Sequence, residues 1–118
     1  MKPYTQIDDM TTAYIEAVYF TETGDCDQPG PNAELTPYFK ARAYIECRNF
    51  LQAIKDLPEA RNFDPKQLGH DLWLTRNGHG TGFWDRPEIY GEDLAEWFSR
   101  IAKAMGQTDA EFIDEVTT

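Results

Sequence analysis

Apolar residues along the chain recur at spacings of three and four in four places, the signature of helices that bury one face. The first stretch runs from Asp8 to Phe20, where Ile7, Met10, Tyr14, Ala17 and Val18 share a face, with Asp8 and Asp9 expected in its first turn near the positive end of the helix dipole. The second opens with Thr36 as N-cap and Pro37 in the first turn. Phe39, Ala43, Cys47, Phe50, Ile54 and Leu57 form its stripe, with Lys40, Arg42, Glu46, Arg48, Asn49, Gln52 and Lys55 on its other faces. The third begins at Asp64-Pro65, passes through Leu68 and Leu72 to Arg76, and stops at Asn77-Gly78. A strand over Leu72–Thr75 with a hairpin back through Gly82–Asp85 competes with it, and the Asp-Pro start signal favours the helix. The fourth spans Glu92 to Met105, with Leu94, Trp97, Phe98, Ile101 and Met105 on one face and Gly106 as its end.

Between the first two helices, Thr21–Leu35 is dense in Gly, Pro, Asp and Asn, which supplies turns and refuses regular structure. After the fourth, Thr108-Asp109-Ala110-Glu111 has the form of a capping box, which predicts a short last helix carrying Phe112, Ile113 and Val116 in the acidic tail 107–118. There are no internal repeats. Amphipathic helices joined by turns must bury their stripes against one another. The expectation is therefore all-α: one domain over residues 1–118, a small bundle of about four helices, with a Gly-rich loop between the third and fourth.

The length of 118 residues allows one hydrophobic core. Lysine and arginine number 11 against 21 acids, a formal charge of −10. A chain this acidic is repelled by phosphate backbones, so direct nucleic-acid binding is not expected. The charge is uneven. Residues 1–34 carry −6, residues 35–84 carry +2, and residues 85–118 carry −6. No stretch has the length and apolarity of a membrane span, and the N-terminus has no basic-then-apolar leader pattern, which points to the cytoplasm. Cys26 and Cys47 have no CxxC spacing and too few histidines around them for a zinc site, so both are expected as free thiols, Cys47 within the helix stripe. No cofactor is implied.

The segment from Gly69 to Arg86 stands out. It holds both histidines, two of the three tryptophans, and glycines at 78, 80 and 82. One reading pairs His70 or His79 with Asp71 or Asp85 as a general acid–base couple, in the manner of a small hydrolase, with Arg76 and Asn77 holding an anionic or carbonyl group. The same His70, Asp71, His79 and Asp85 could in principle ligate a metal, but the chain lacks the further histidines of His-Asp phosphohydrolases, and no metal is expected. Gly78–Gly82 with Arg76 could cradle a phosphate, although neither dinucleotide nor P-loop spacing is present. A third use is contact: Trp73, Arg76, Asn77, His79, Phe83, Trp84 and Arg86 have the composition of a protein-binding hot spot. The plainest is structural, with the segment locking the third helix to the fourth.

The run His70-Asp71-Leu72-Trp73-Leu74-Thr75-Arg76-Asn77-Gly78-His79-Gly80-Thr81-Gly82-Phe83-Trp84-Asp85 resembles the signature of a family of small acidic proteins of tailed bacteriophages and prophages, whose pattern has Phe at the place of Leu72 and Ala at that of Thr81. The resemblance extends over about Thr12 to Gly106. Relatives end in a short Gly-Asp hairpin where this chain has its acidic tail. The resemblance implies origin, a phage or prophage protein acting in the host bacterial cytoplasm, more than a reaction. Taken with the charge, it leads to a non-enzymatic accessory protein that binds a host or phage protein, in its sharpest form counter-defence by an acidic, nucleic-acid-like surface built on Asp93, Glu96, Asp109, Glu111, Asp114 and Glu115. An exposed aromatic face would also allow a homodimer.

Overall fold

The computed structural model describes residues 3–23, 29–30, 32–57, 63–78 and 82–113, with the side chains of residues 3–6 left aside. The chain is mostly helical, and among the described residues there is no sheet. Among the described residues five α-helices follow in order: α1 (Pro3–Glu22), α2 (Pro37–Ile54), α3 (Pro65–Arg76), the short α4 (Pro87–Tyr90) and α5 (Glu92–Ala104). A 3₁₀ turn, Phe83–Asp85, precedes α4. The expected all-α architecture is what the chain adopts. Leu72–Thr75 is helix, so the competing strand does not form.

The start signals of α2 and α3 work as anticipated. Thr36 Oγ1 accepts the Phe39 amide at 3.0 Å, and Asp64 Oδ1 accepts the Lys66 amide at 3.0 Å; such caps are each worth about 1 kcal/mol. Phe39, Ala43, Cys47, Phe50 and Ile54 are the buried face of α2. Gly78 ends the α3 segment with φ 70°, a left-handed turn that glycine adopts without a Cβ clash.

Three expectations need correction. First, α1 is longer than Asp8–Phe20. It starts at Pro3, whose missing N–H is harmless in a first turn, so Asp8 and Asp9 fall beyond the first turn and do not serve the dipole there. Its end runs on to Glu22, with Thr21 Oγ1 bonded to the Ala17 carbonyl and accepting Trp73 Nε1–H at 2.8 Å. Second, of the expected α5 stripe Leu94, Trp97, Phe98, Ile101 and Met105 only Phe98 is fully buried, and Ala95, Ser99 and Ala102 complete the buried face. Small side chains let the helix lie close to its neighbours, Leu94, Ile101 and Met105 fall to a half-buried flank, and Trp97 is exposed. Third, Thr108–Glu111 caps no helix. Residues 107–113 are not helical: Leu35 and Phe112 form an isolated antiparallel bridge, the Thr36 amide bonds the Glu111 carbonyl at 2.9 Å, and the Ile113 amide bonds the Glu34 carbonyl at 2.8 Å. Glu111 accepts the Thr36 hydroxyl at 2.7 Å instead of closing a box of its own. Val116 lies outside the described residues, as does Cys26.

Two aromatic nests tie the helices together. Tyr14 and Phe39 meet the Trp73 ring edge-on at 5.4 and 6.2 Å, joining α1, α2 and α3. Phe50, Phe83, Tyr90 and Phe98 pack ring against ring at 5.3–5.6 Å, joining α2, the 3₁₀ turn, α4 and α5. Helices α1 and α3 touch backbone to backbone. A Cβ at Gly69 would collide with the Met10 carbonyl oxygen and lie 3.0 Å from the Tyr14 nitrogen, so only glycine permits this approach.

Candidate functional site

Within the distinctive segment, residues 69–78 are the end of α3 and the turn that closes it, and Phe83–Asp85 is the 3₁₀ turn; residues 79–81 lie outside the described residues. Asp71, Thr75, Arg76, Asn77 and Arg86 are engaged in the protein's own hydrogen-bond network. Asp71 is fully buried on α3. Its carboxylate accepts Arg86 Nε–H at 2.8 Å, the Tyr90 hydroxyl at 2.8 Å and Gln67 Nε2–H at 2.9 Å. His70 Nδ1 stands 3.7 Å from Asp71 Oδ1, beyond hydrogen-bond range. Thr75 Oγ1, also buried, accepts the Phe83 amide at 3.0 Å and draws the loop back onto α3. That return is tight: a Cβ at Gly82 would strike Thr75 Oγ1 and come within 2.9 Å of the Trp84 ring.

Arg76 closes the other end. It is buried, donates through Nη1 to Glu46 and to the Tyr14 hydroxyl at 3.1 Å, through Nε to the Gly106 carbonyl at 2.8 Å, and through Nη2 to the Met105 carbonyl at 3.1 Å. One guanidinium thus joins α1, α2, α3 and the end of α5. Asn77 adds a link of its own, donating to the Trp73 carbonyl at 3.2 Å and accepting the Thr108 amide at 3.0 Å. Among the described residues no buried side-chain nitrogen or oxygen lacks a partner.

The residues expected in a site are therefore distributed as follows. Trp73, Arg76 and Phe83 are buried, which takes them off the surface as a hot spot; Trp84 remains 40% exposed and Arg86 is partly so. Asn77 is half-buried and engaged. His79 lies outside the described residues. Asp85 is exposed, and the shallow pocket of about 350 Å³ at His70 is lined by Glu16, Asp64, Lys66, Gln67 and Arg86 but not by Asp85. With Arg76 occupied and Gly82 pressed against Thr75, the phosphate cradle has lost its cation and one of its glycines to internal packing. No cluster of three metal-ligating side chains exists among the described residues.

Burial sets the protonation of the groups around this network. The Tyr14 and Tyr90 phenols are held above their ordinary range, in both cases mainly by desolvation, with Arg76 opposing it at Tyr14. Burial likewise pushes the Cys47 thiol up from 9.0 to about 12. The Arg86 guanidinium is held more firmly protonated by its hydrogen bond to Asp71. An acid whose folded pKa is raised contributes its full stability below the unfolded value and loses it as pH climbs towards the folded value. Thermal melts between pH 7 and 12 are accordingly expected to stay level to about pH 9 and then fall steadily towards about pH 12.

Sequence reasoning missed the partners of Arg76, because Tyr14, Glu46 and the Met105–Gly106 carbonyls are far away in the chain. It also passed over the outer face of α2, where Tyr38, Ala41 and Ile45 follow one another at helical spacing, all exposed, Tyr38 at 65% and Ile45 at 44%. The signal was present as apolar residues off the buried stripe.

The fold and its network thus define a small helical domain whose conspicuous motif is spent on holding helices together. Comparison with known protein families, curated proteins and solved structures found no match. None of the helices among the described residues is long and apolar enough to cross a membrane.

Proposed function

We propose that this chain is a non-enzymatic accessory protein of a phage or prophage, acting in the host bacterial cytoplasm by binding a host or phage protein. The observation that carries the reading is the division of labour in the structure. Asp71, Arg76 and Asn77 are engaged in internal hydrogen bonds, while large apolar side chains stand outside on α2. Tyr38, Ala41 and Ile45 lie in the stretch 35–84 with its positive balance, with Arg48 exposed beside them. Such a face suits a partner with an apolar patch rimmed by carboxylates. The phage origin rests on the motif's resemblance.

The acidic-surface form draws less support. Glu96 is paired with Arg100 at 2.7 Å and Glu111 holds Thr36, while Asp114 and Glu115 lie outside the described residues. A hydrolase built on His70 is supported by its pocket beside Arg86 and Lys66, but the carboxylate that would orient the imidazole is committed to Arg86, Tyr90 and Gln67.

The test is a comparative pull-down. Tagged chain in nuclease-treated bacterial lysate is expected to retain a specific protein, and Tyr38→Glu/Ile45→Glu to lose it with an unchanged melting temperature. Enrichment of no protein by the wild type, or equal retention by the folded double variant, overturns the α2 contact. Turnover of a substrate abolished by His70→Ala would overturn the non-enzymatic reading itself.

A further inference from the structure

We propose that two copies of this chain pair through α5, antiparallel, across a groove beside Trp84. The groove measures about 510 Å³, with the Trp84 ring on one wall and Ala95 and Ser99 of α5 along its floor. Glu92 and Glu96 rim one end, Arg100 and Lys103 the other. Acids at the start and bases at the end of a helix serve its dipole wherever they lie around the axis. The dipole does not require them to share a face. Here residues 92, 96, 99 and 103 follow at spacings of four, three and four, which sets them in one stripe along the groove.

That stripe is its own complement. A two-fold axis crossing α5 between Trp97 and Phe98 brings Glu92 of one copy to Lys103 of the other, and Glu96 to the turn holding Ser99 and Arg100. Each contact then occurs twice, as an isologous interface requires. Among the described residues neither Glu92 nor Lys103 has an ion-pair partner within its own chain. Lys103 is nonetheless held in place, its ammonium 5.3 Å from the centre of the Trp84 ring. The Glu96–Arg100 pair is exposed on both sides, and such a pair costs little to exchange for one across the interface.

The expected dimer is weak. A single pair of 13-residue helices, each about 20 Å long, buries less than the ~1,600 Å² of a standard interface. Two copies at −10 each also repel at long range. Dissociation constants in the micromolar range follow. The inference stands apart from the α2 contact, because the experiment uses the purified chain alone.

Sedimentation equilibrium from about 1 to 300 µM brackets that range. Wild type is expected to show a monomer–dimer equilibrium. Glu92→Lys/Glu96→Lys places like charges face to face, as does Arg100→Glu/Lys103→Glu, and each variant alone is expected to associate about tenfold more weakly or not at all. Mixed, the two are expected to form a heterodimer at least as tight as the wild type, whereas net charge alone, −6 for the first variant and −14 for the second, would leave the first pairing best with itself. All four positions are exposed, and circular dichroism verifies that both variants fold. A wild type that stays monomeric throughout, a dimer indifferent to both variants, or folded variants that fail to pair on mixing would each overturn the proposal.

Discussion

Replacing Asp71 by alanine is expected to lower stability by about 3–5 kcal/mol, the cost of removing one partner from a buried ion pair. The side chain is fully buried and is the shared acceptor for Arg86 on the turn before α4, Tyr90 on α4 and Gln67 on α3. Without it, a guanidinium and a phenol lose their acceptor in a site from which water is largely excluded. Asp71→Asn keeps an acceptor oxygen but loses the charge facing Arg86, so a smaller cost of about 1–3 kcal/mol is expected. Urea denaturation measures both. Asp85→Ala on the exposed 3₁₀ turn is the control, with an expected change within about 0.5 kcal/mol. Should Asp71→Ala prove as mild as the control, the clasp would not be a structural element.

Arg76→Met should be of similar severity, about 3–5 kcal/mol, although methionine preserves much of the apolar stem. The variant leaves Glu46 without its buried partner and strips donors from the Met105 and Gly106 carbonyls and from the Tyr14 hydroxyl oxygen. Because Arg76 reaches the end of α5 from α3, the damage should extend to the strap that follows. Amide exchange at Thr108, which is held by neighbouring Asn77, is expected to accelerate with the loss. Glu46 then keeps only the exposed Arg42 guanidinium at 2.8 Å and the Tyr14 hydroxyl at 3.2 Å, and removing its carboxylate as well, in Arg76→Met/Glu46→Leu, should recover part of the stability. A double variant no more stable than the single one would show that Glu46 is not the group left stranded.

Alkaline loss of stability belongs to the same network, since Tyr14 and Tyr90 each join a buried guanidinium or carboxylate and Cys47 packs in the same interior. The three predictions are linked by one physical feature. Charged and phenolic groups taken out of water are tolerated here because their lone pairs and protons are matched inside the chain.

Local chemistry determined much of the architecture. Thr36-Pro37 and Asp64-Pro65 start their helices wherever they are placed, because the cap bond and the proline's fixed φ act within three residues. The stripe from Phe39 to Ile54 could satisfy its apolar side chains only as a buried helix face. Gly78 and Gly106 end their helical segments in the left-handed conformation, at φ 70° and 84°. What local pattern could not decide was the choice between partners of equal local merit. Thr108–Glu111 has a capping box in sequence, yet Glu111 finds Thr36 across the fold, and a bridge to Leu35 gives the segment backbone bonds that a marginal helix would have had to supply itself. The face of α5 was set by Phe98 packing against Phe83 of the 3₁₀ turn, with Ala95, Ser99 and Ala102 buried beside it and the larger Trp97 left exposed. Above all, Asp71, Arg76 and Trp84 belong to one stretch of 14 residues and have opposite fates, two sealed inside and one left at the surface. Burial depends on what the rest of the chain packs over a residue, and that is a property of the assembled helices alone.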